Sequence, residues 1–133
     1  MKSTEHARTQ PQAMYTVQEV SERSGLTPHT LRYYEKEGIL QNIPRNRSGH
    51  RRFRSTDIDW IGFVKCLKGT GMNLEDIKRF AGLHWQGDSN PDEQMEILLS
   101  HREKVLHQMK ELSAMLERID HKIAWFTQKT YKE

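Results

Sequence analysis

The sequence predicts a mainly α-helical fold, a winged helix-turn-helix head followed by a long dimerisation helix that forms a coiled coil. Three observations predict it. Two short amphipathic segments are separated by little more than Gly25 and Leu26, the spacing of a helix-turn-helix. The stretch "RNRSGHRRFR", residues 45–54, then gathers five arginines and a histidine around one Ser-Gly step. Finally, apolar residues recur from Met95 to Phe126 in steps of three and four, the heptad signature.

Bulk properties set the frame. The 133 residues suffice for one modest domain or a small head plus an extended element. A hydrophobic content of 35% is lean for a compact sphere and suits a chain that exposes a long helix. Residues 1–70 hold twelve Lys/Arg against seven Asp/Glu, whereas residues 71–133 hold nine against eleven. A basic front and an acidic rear suit a chain that meets nucleic acid at one end. No segment approaches the ~20 apolar residues of a membrane span, and the N-terminus lacks a signal-peptide core, so a cytoplasmic protein without membrane partners is expected. The single cysteine, Cys66, excludes an intrachain disulfide and a multi-cysteine metal site.

Residues 1–13 are polar and aperiodic, which predicts a disordered tail. In "YTVQEVSERSG", Thr16 and Glu19 have capping-box spacing, Val17 and Val20 share a face, and Gly25 stops the helix. "LTPHTLRYYEKEG" repeats the logic with Thr27 as cap, Pro28 at the first helical position and Gly38 as stop. These two helices read either as a helix-turn-helix or as a plain αα-hairpin. The basic stretch follows as a wing: Asn42 to Pro44 lead in, Ser48-Gly49 turn, and "HRRF" returns. Alternation places His50, Arg52 and Arg54 on one face and Arg51 and Phe53 on the other, with Phe53 as the anchor.

Ser55 or Thr56 is the expected cap of a third helix, "DIDWIGFVKCLKG". Trp60, Ile61, Phe63, Val64 and Leu67 form its apolar side, while Cys66 stacks with Gly62 and Gly69 or Thr70 on a small-residue side. Asn73 caps a fourth helix, "LEDIKRFAGL", so the head spans 14–84. "WQGDSNP", residues 85–91, is a linker, and a helix over 92–127 precedes a tail, 128–133. Its seam is Met95, Leu98, Arg102, Val105, Met109, Leu112, Leu116, Ile119, Ile123 and Phe126; nine of these ten positions are apolar. From Met95 to Phe126 such a helix extends about 47 Å at ~1.5 Å per residue, too long to hide against so small a head. A second copy is the expected cover; a helix folded along its own head is the alternative.

Assembled, these elements predict a dimer that reads double-stranded DNA. His29, Thr30, Arg32 and Tyr33 would face the major groove, Arg32 forking onto a guanine edge or a phosphate and Tyr33 donating to a phosphate. Tyr34 belongs with Leu31 and Leu40 on the inward side. Lys36 and Thr16 flank the reader, and Arg47, His50, Arg51, Arg52 and Arg54 on the wing would grip the backbone. Met95, Leu98, Val105, Met109, Leu112, Leu116, Ile119, Ile123 and Phe126 are the dimerisation residues. No nucleophile motif, phosphate-cradling glycine loop or paired-carboxylate pocket is present, so no enzymatic activity and no cofactor are expected. His84, His101, His107 and His121, even with Cys66 across a dimer, lack the i, i+4 pairing of helical metal ligands and read as ordinary surface groups.

"YTVQEVSERSGLTPHTLRYYEKEGIL", "RNRSGHRRF" and "IDWIGFVKCLKGTGMNLEDI" resemble the MerR family of bacterial transcription regulators across residues 14–83, with "TLRYYEKEGIL" as a highly specific element. The long last helix is similar to that family's antiparallel dimerisation coil. The resemblance implies a homodimer on a pseudo-palindromic promoter, bent and untwisted in the effector-bound state so that RNA polymerase, touched only through the promoter, transcribes more. One departure is His50, where the family's wing usually carries an aromatic. The coil end lacks the cysteines of soft-metal sensors, and neither a soft-metal loop nor an appended drug-binding domain is expected. "FVKCLKGTGM" and "WQGD" instead resemble the subgroup that responds to aldehydes and other electrophiles through one cysteine, here Cys66. Lys65 and Lys68 would favour the thiolate if their ammonium groups lie close. Cys66 as a small buried hydrophobe is the other reading. Two further readings stay open: an effector-independent DNA-bending protein of the architectural or excisionase-like kind, and a coiled-coil interaction protein with an incidentally basic head.

Overall fold

The computed structural model describes residues 14–87 and 91–132; the expected tail 1–13, residues 88–90 of the expected linker and Glu133 lie outside the described residues. The elements are β1 (Met14–Tyr15), α1 (Val17–Ser24), α2 (Pro28–Lys36), β2 (Phe53–Arg54), α3 (Ser55–Gly69), α4 (Leu74–Trp85) and α5 (Pro91–Lys132). Two compact units divide between Gln94 and Met95.

Local chemistry sets the head's helix boundaries as expected in α1 and α2. Thr16 Oγ1 accepts from Glu19 N at 3.1 Å and Glu19 Oε1 accepts from Thr16 N at 2.9 Å, closing the capping box. Gly25, at φ 76°, lets its N–H reach Ser21 O at 2.9 Å, a left-handed turn that a side chain would strain. Thr27 then caps α2 through Thr30 N with Pro28 as its first residue. Between them Ser21 Oγ donates to Leu26 O and Leu26 N donates to Ser24 Oγ, which fixes the turn.

The wing differs from a simple hairpin. Asn46 N donates to His50 O and Arg52 N donates to Pro44 O around the turn at Gly49, φ 85°. The returning strand β2 instead pairs antiparallel with β1, Met14 opposite Arg54 and Tyr15 opposite Phe53. Pro44 has no N–H to extend the wing's own ladder, so β2 finds its partner in the residues before α1. Phe53 is fully buried, as the alternation requires.

At the start of α3 the expected Ser55 or Thr56 cap is replaced. Arg54 is the N-cap residue, and Asp57, three residues on, accepts its backbone N–H at 2.9 Å. A carboxylate can reach back from the first turn to an unsatisfied N–H more strongly than a hydroxyl can. In the apolar side of α3, Trp60, Ile61, Val64 and Leu67 are buried, whereas Phe63 remains 38% exposed, a departure from the expected cluster. Asn73 caps α4 by accepting from Asp76 N at 2.8 Å.

The head's core combines Val20, Leu31, Tyr34, Ile39, Leu40, Phe53, Ile61, Val64, Ile77, Phe80 and Ala81. Trp60 and Trp85 both donate their indole N–H to Ile39 O at 2.8 Å, which joins α3 and the end of α4 to the corner after α2. Trp85, expected in the linker, is therefore the last residue of α4 and part of the head. The linker shortens accordingly, with Pro91 already helical.

The second unit is helix. α5 continues to Lys132, so the expected tail 128–133 is helical within its described part. Gln128 and Lys129 favour helix, no Gly or Pro interrupts them, and Thr130 Oγ1 donates to Phe126 O at 2.9 Å. Along the seam Met95, Met109, Leu112, Leu116, Ile119, Ile123 and Phe126 are all more than half exposed, while Leu98 and Val105 are partly covered. Arg102 is 67% exposed. Among the described residues no helix is long and apolar enough to cross a membrane.

Candidate nucleic-acid interface

Helix α2 sorts its residues by face. Leu31 and Tyr34 point into the core, which leaves His29, Arg32, Tyr33 and Lys36 exposed and Thr30 half-buried. Thr30 Oγ1 lies 3.0 Å from Thr27 Oγ1, so its hydroxyl is partly engaged in the cap. Thr16 is likewise committed to its capping box. Thr16, Val17 and Gln18 share a shallow concavity with Gly49, His50, Arg51 and Arg52, bringing the start of α1 to the wing.

The wing arginines fall into two groups. Arg51 pairs its Nε with Glu35 of α2, and Arg45 Nη2 approaches the other oxygen of the same carboxylate at 3.9 Å. Arg54 donates through Nε at 2.9 Å and Nη2 at 3.1 Å to Asp57, which is 2% exposed, and through Nη2 to Asn42 O at 3.1 Å. The Asp57 hydrogen bonds raise the Arg54 pKa further. These two guanidinium groups hold the wing onto α2 and α3, so each of the two arginines expected to grip the DNA backbone is partly engaged within the chain. Arg52 donates to Arg51 O at 3.0 Å. Arg47 and His50 are exposed at the turn.

Glu35 and Asp57, which pair with the wing arginines, are not legible in the sequence reading, in which acids near the basic stretch are not matched to particular arginines. Only the three-residue spacing of Asp57 from Arg54 could have signalled such a pair. Lys68 was read only in relation to Cys66; it lines a cavity with His29, Thr30 and Tyr33 of α2.

Cys66 is free and exposed on α3, which overturns the buried reading for the single protomer. Gly62 and Gly69 beside it face open space. Lys65 is directed elsewhere: its Nζ donates to Ser24 O at the end of α1, where unsatisfied carbonyls attract a cation. Of the four histidines weighed as ligands, His84 stacks on Trp60 at 3.7 Å between ring centroids, and burial lowers its pKa. His107 Nε2 lies 3.6 Å from Glu111. No cluster of three or more His, Cys, Asp or Glu able to hold a metal ion occurs among the described residues.

Two helices joined by a fixed turn, a basic wing clamped to them and an exposed polar face on the second helix define a winged helix-turn-helix DNA-binding head. The model of the MerR HTH family regulatory proteins matches residues 15–82, and that of the MerR DNA-binding region matches residues 58–122. The chain belongs to the MerR family of DNA-binding transcriptional regulators. It is 38% identical over 112 residues to an uncharacterized HTH-type transcriptional regulator of Haemophilus influenzae, covering 84% of this chain and 83% of that one. It is 34% identical over 90 residues to the HTH-type transcriptional regulator AdhR of Bacillus subtilis, covering 68% of this chain and 64% of that one. Among solved structures, HiNmlR, a MerR family regulator lacking the sensor domain and bound to promoter DNA, superposes with a TM-score of 0.79 at 37% identity, covering 86% of this chain and 91% of that one. A MerR family regulator from Listeria monocytogenes superposes with a TM-score of 0.76 at 31% identity, covering 82% and 83%. These relatives are transcriptional regulators, not enzymes.

Proposed function

We propose that two copies pair through the apolar seams of α5, set their α2 helices in successive major grooves of a pseudo-palindromic promoter, and activate transcription by bending and untwisting it. The observation that carries this reading is the exposure of a heptad seam, with Leu112 65% and Ile123 58% exposed, in a chain whose head presents a polar reading face. An apolar stripe of that length left in water is unfavourable, and a second copy covers it in register. Similarity to HiNmlR, whose structure holds promoter DNA, supports the DNA partner.

His29, Arg32 and Tyr33 are the readers in this proposal, with Lys36, Arg47, His50 and Arg52 contacting phosphates. Thr16 and Thr30 supply the short polar contacts at the groove edge. Arg51 and Arg54 act by holding the wing, and reach DNA only with the part of each guanidinium that Glu35 and Asp57 leave open. Arg32→Ala lowers affinity for the operator by about 1–3 kcal/mol if it reads a base, and lowers affinity for all sequences equally if it holds phosphate. Fluorescence anisotropy on operator and scrambled duplexes separates the two.

The effector in this reading is an aldehyde or related electrophile. The Cys66 thiolate adds to the carbonyl carbon, forming a C–S bond while the carbonyl oxygen takes up a proton, and the adduct occupies the open space beside Gly62 and Gly69. The adduct must favour the promoter-distorting conformation over the relaxed one, because equal binding to both shifts nothing. In-vitro transcription with and without aldehyde tests it: wild type is induced and Cys66→Ser is not. Equal induction of both rejects thiol sensing. The engagement of Lys65 with Ser24 favours a second reading, a bender that needs no effector, in which neither protein responds.

A further inference from the structure

A cavity of about 370 Å³ opens between α2 and the turn joining α3 to α4. His29, Tyr33 and Tyr34 line one wall, Lys68 stands on a second, and Met72 and Ile77 close the apolar side. Its volume falls within the roughly 300–1,000 Å³ of small-molecule sites. None of its lining residues among the described residues is acidic. Tyr34 is 3% exposed, and its hydroxyl has no hydrogen-bond partner among the described residues. That hydroxyl is closed to solvent as well, so Tyr34 offers the cavity its ring and not its O–H.

We propose that this cavity binds a small organic carboxylate that carries an apolar ring. The carboxylate meets the Lys68 ammonium and the His29 ring, and the apolar ring lies against Met72, Ile77 and the Tyr34 ring. Apolar walls with a few convergent polar groups are the usual construction of such sites. Occupancy would compete with DNA, because His29 and Tyr33 serve both; only this consequence rests on the reading proposed above.

The test uses the full chain and 3-(4-hydroxyphenyl)propanoate as probe, with the corresponding amide as the uncharged control, followed by calorimetry and backbone amide shifts. The expected result is saturable binding of the acid, with shifts confined to α2 and the α3–α4 turn, and weaker binding of the amide. Lys68→Gln brings the acid down to the level of the amide. Tyr34→Phe binds the acid as the wild type does, because the hydroxyl it removes is closed off from the cavity. Absence of saturable binding, equal affinity for acid and amide, or undiminished binding of the acid in Lys68→Gln overturns the site. If the acid binds as expected while operator DNA remains bound, the cavity stands and the placement of α2 on DNA is what fails.

Discussion

Asp57 holds Arg54 by three hydrogen bonds, one from the backbone N–H and two from the guanidinium, and so caps α3 and ends the wing with one carboxylate. Asp57→Ala leaves the Arg54 N–H without its acceptor and the guanidinium with only Asn42 O, and lowers stability by about 1–3 kcal/mol, discounted because Arg54 is partly solvated. Urea unfolding measures this. His84 of α4, stacked on Trp60 of α3, gives a pH signature. Burial lowers its pKa below the ordinary 6.5, so the unfolded chain takes up the proton first as pH falls. The stability associated with neutral His84 is therefore complete above about pH 7 and is lost as pH drops through 6.5 toward the folded-state value. Thermal midpoints between pH 8 and 5 fall less steeply in His84→Gln than in the wild type. Single residues of this kind were only partly legible. Thr16, Thr27 and Asn73 announced their capping roles because a cap depends on neighbours three residues away. The Glu35–Arg51 pair was not legible, because sequence shows five wing arginines and does not say which one folds back on α2.

Among the elements, the wing is the one whose position depends most on charge. Arg51 and Arg45 converge on Glu35, and Arg54 reaches both Asp57 and Asn42. Removing the charge at α2 frees one anchor without touching the wing itself. Glu35→Gln speeds amide exchange of Arg52 N–H, bonded to Pro44 O, by roughly fivefold for a loss of about 1 kcal/mol. Exchange in α4 stays unchanged. If Arg52 exchanges as in the wild type, the wing is held by Arg54 and the packing of Phe53 without help from Glu35. Helix periods and breakers made the order of the helices readable from sequence. The β1–β2 pairing was not, since two residues before α1 carry no alternation to read, and Trp85 was misplaced because its role depends on Ile39, distant in the chain.

For the whole molecule, the decisive feature is the exposed apolar length of α5. The heptad pattern was fully legible as a pattern, since the spacing of three and four belongs to the helix itself. What covers the seam was not, because a heptad pattern does not name its partner. Paired heads would reach two half-sites about 34–36 Å apart, and their affinity would fall steeply with salt as arginine and lysine groups release counterions from the phosphates.

Sedimentation of the full chain at micromolar concentration, alone and with an operator fragment, addresses that claim directly. The account predicts a dimer in both cases, two chains per duplex, and conversion of Leu112→Glu to single chains with loss of operator affinity. Single chains of the wild type, free and on DNA alike, would contradict it.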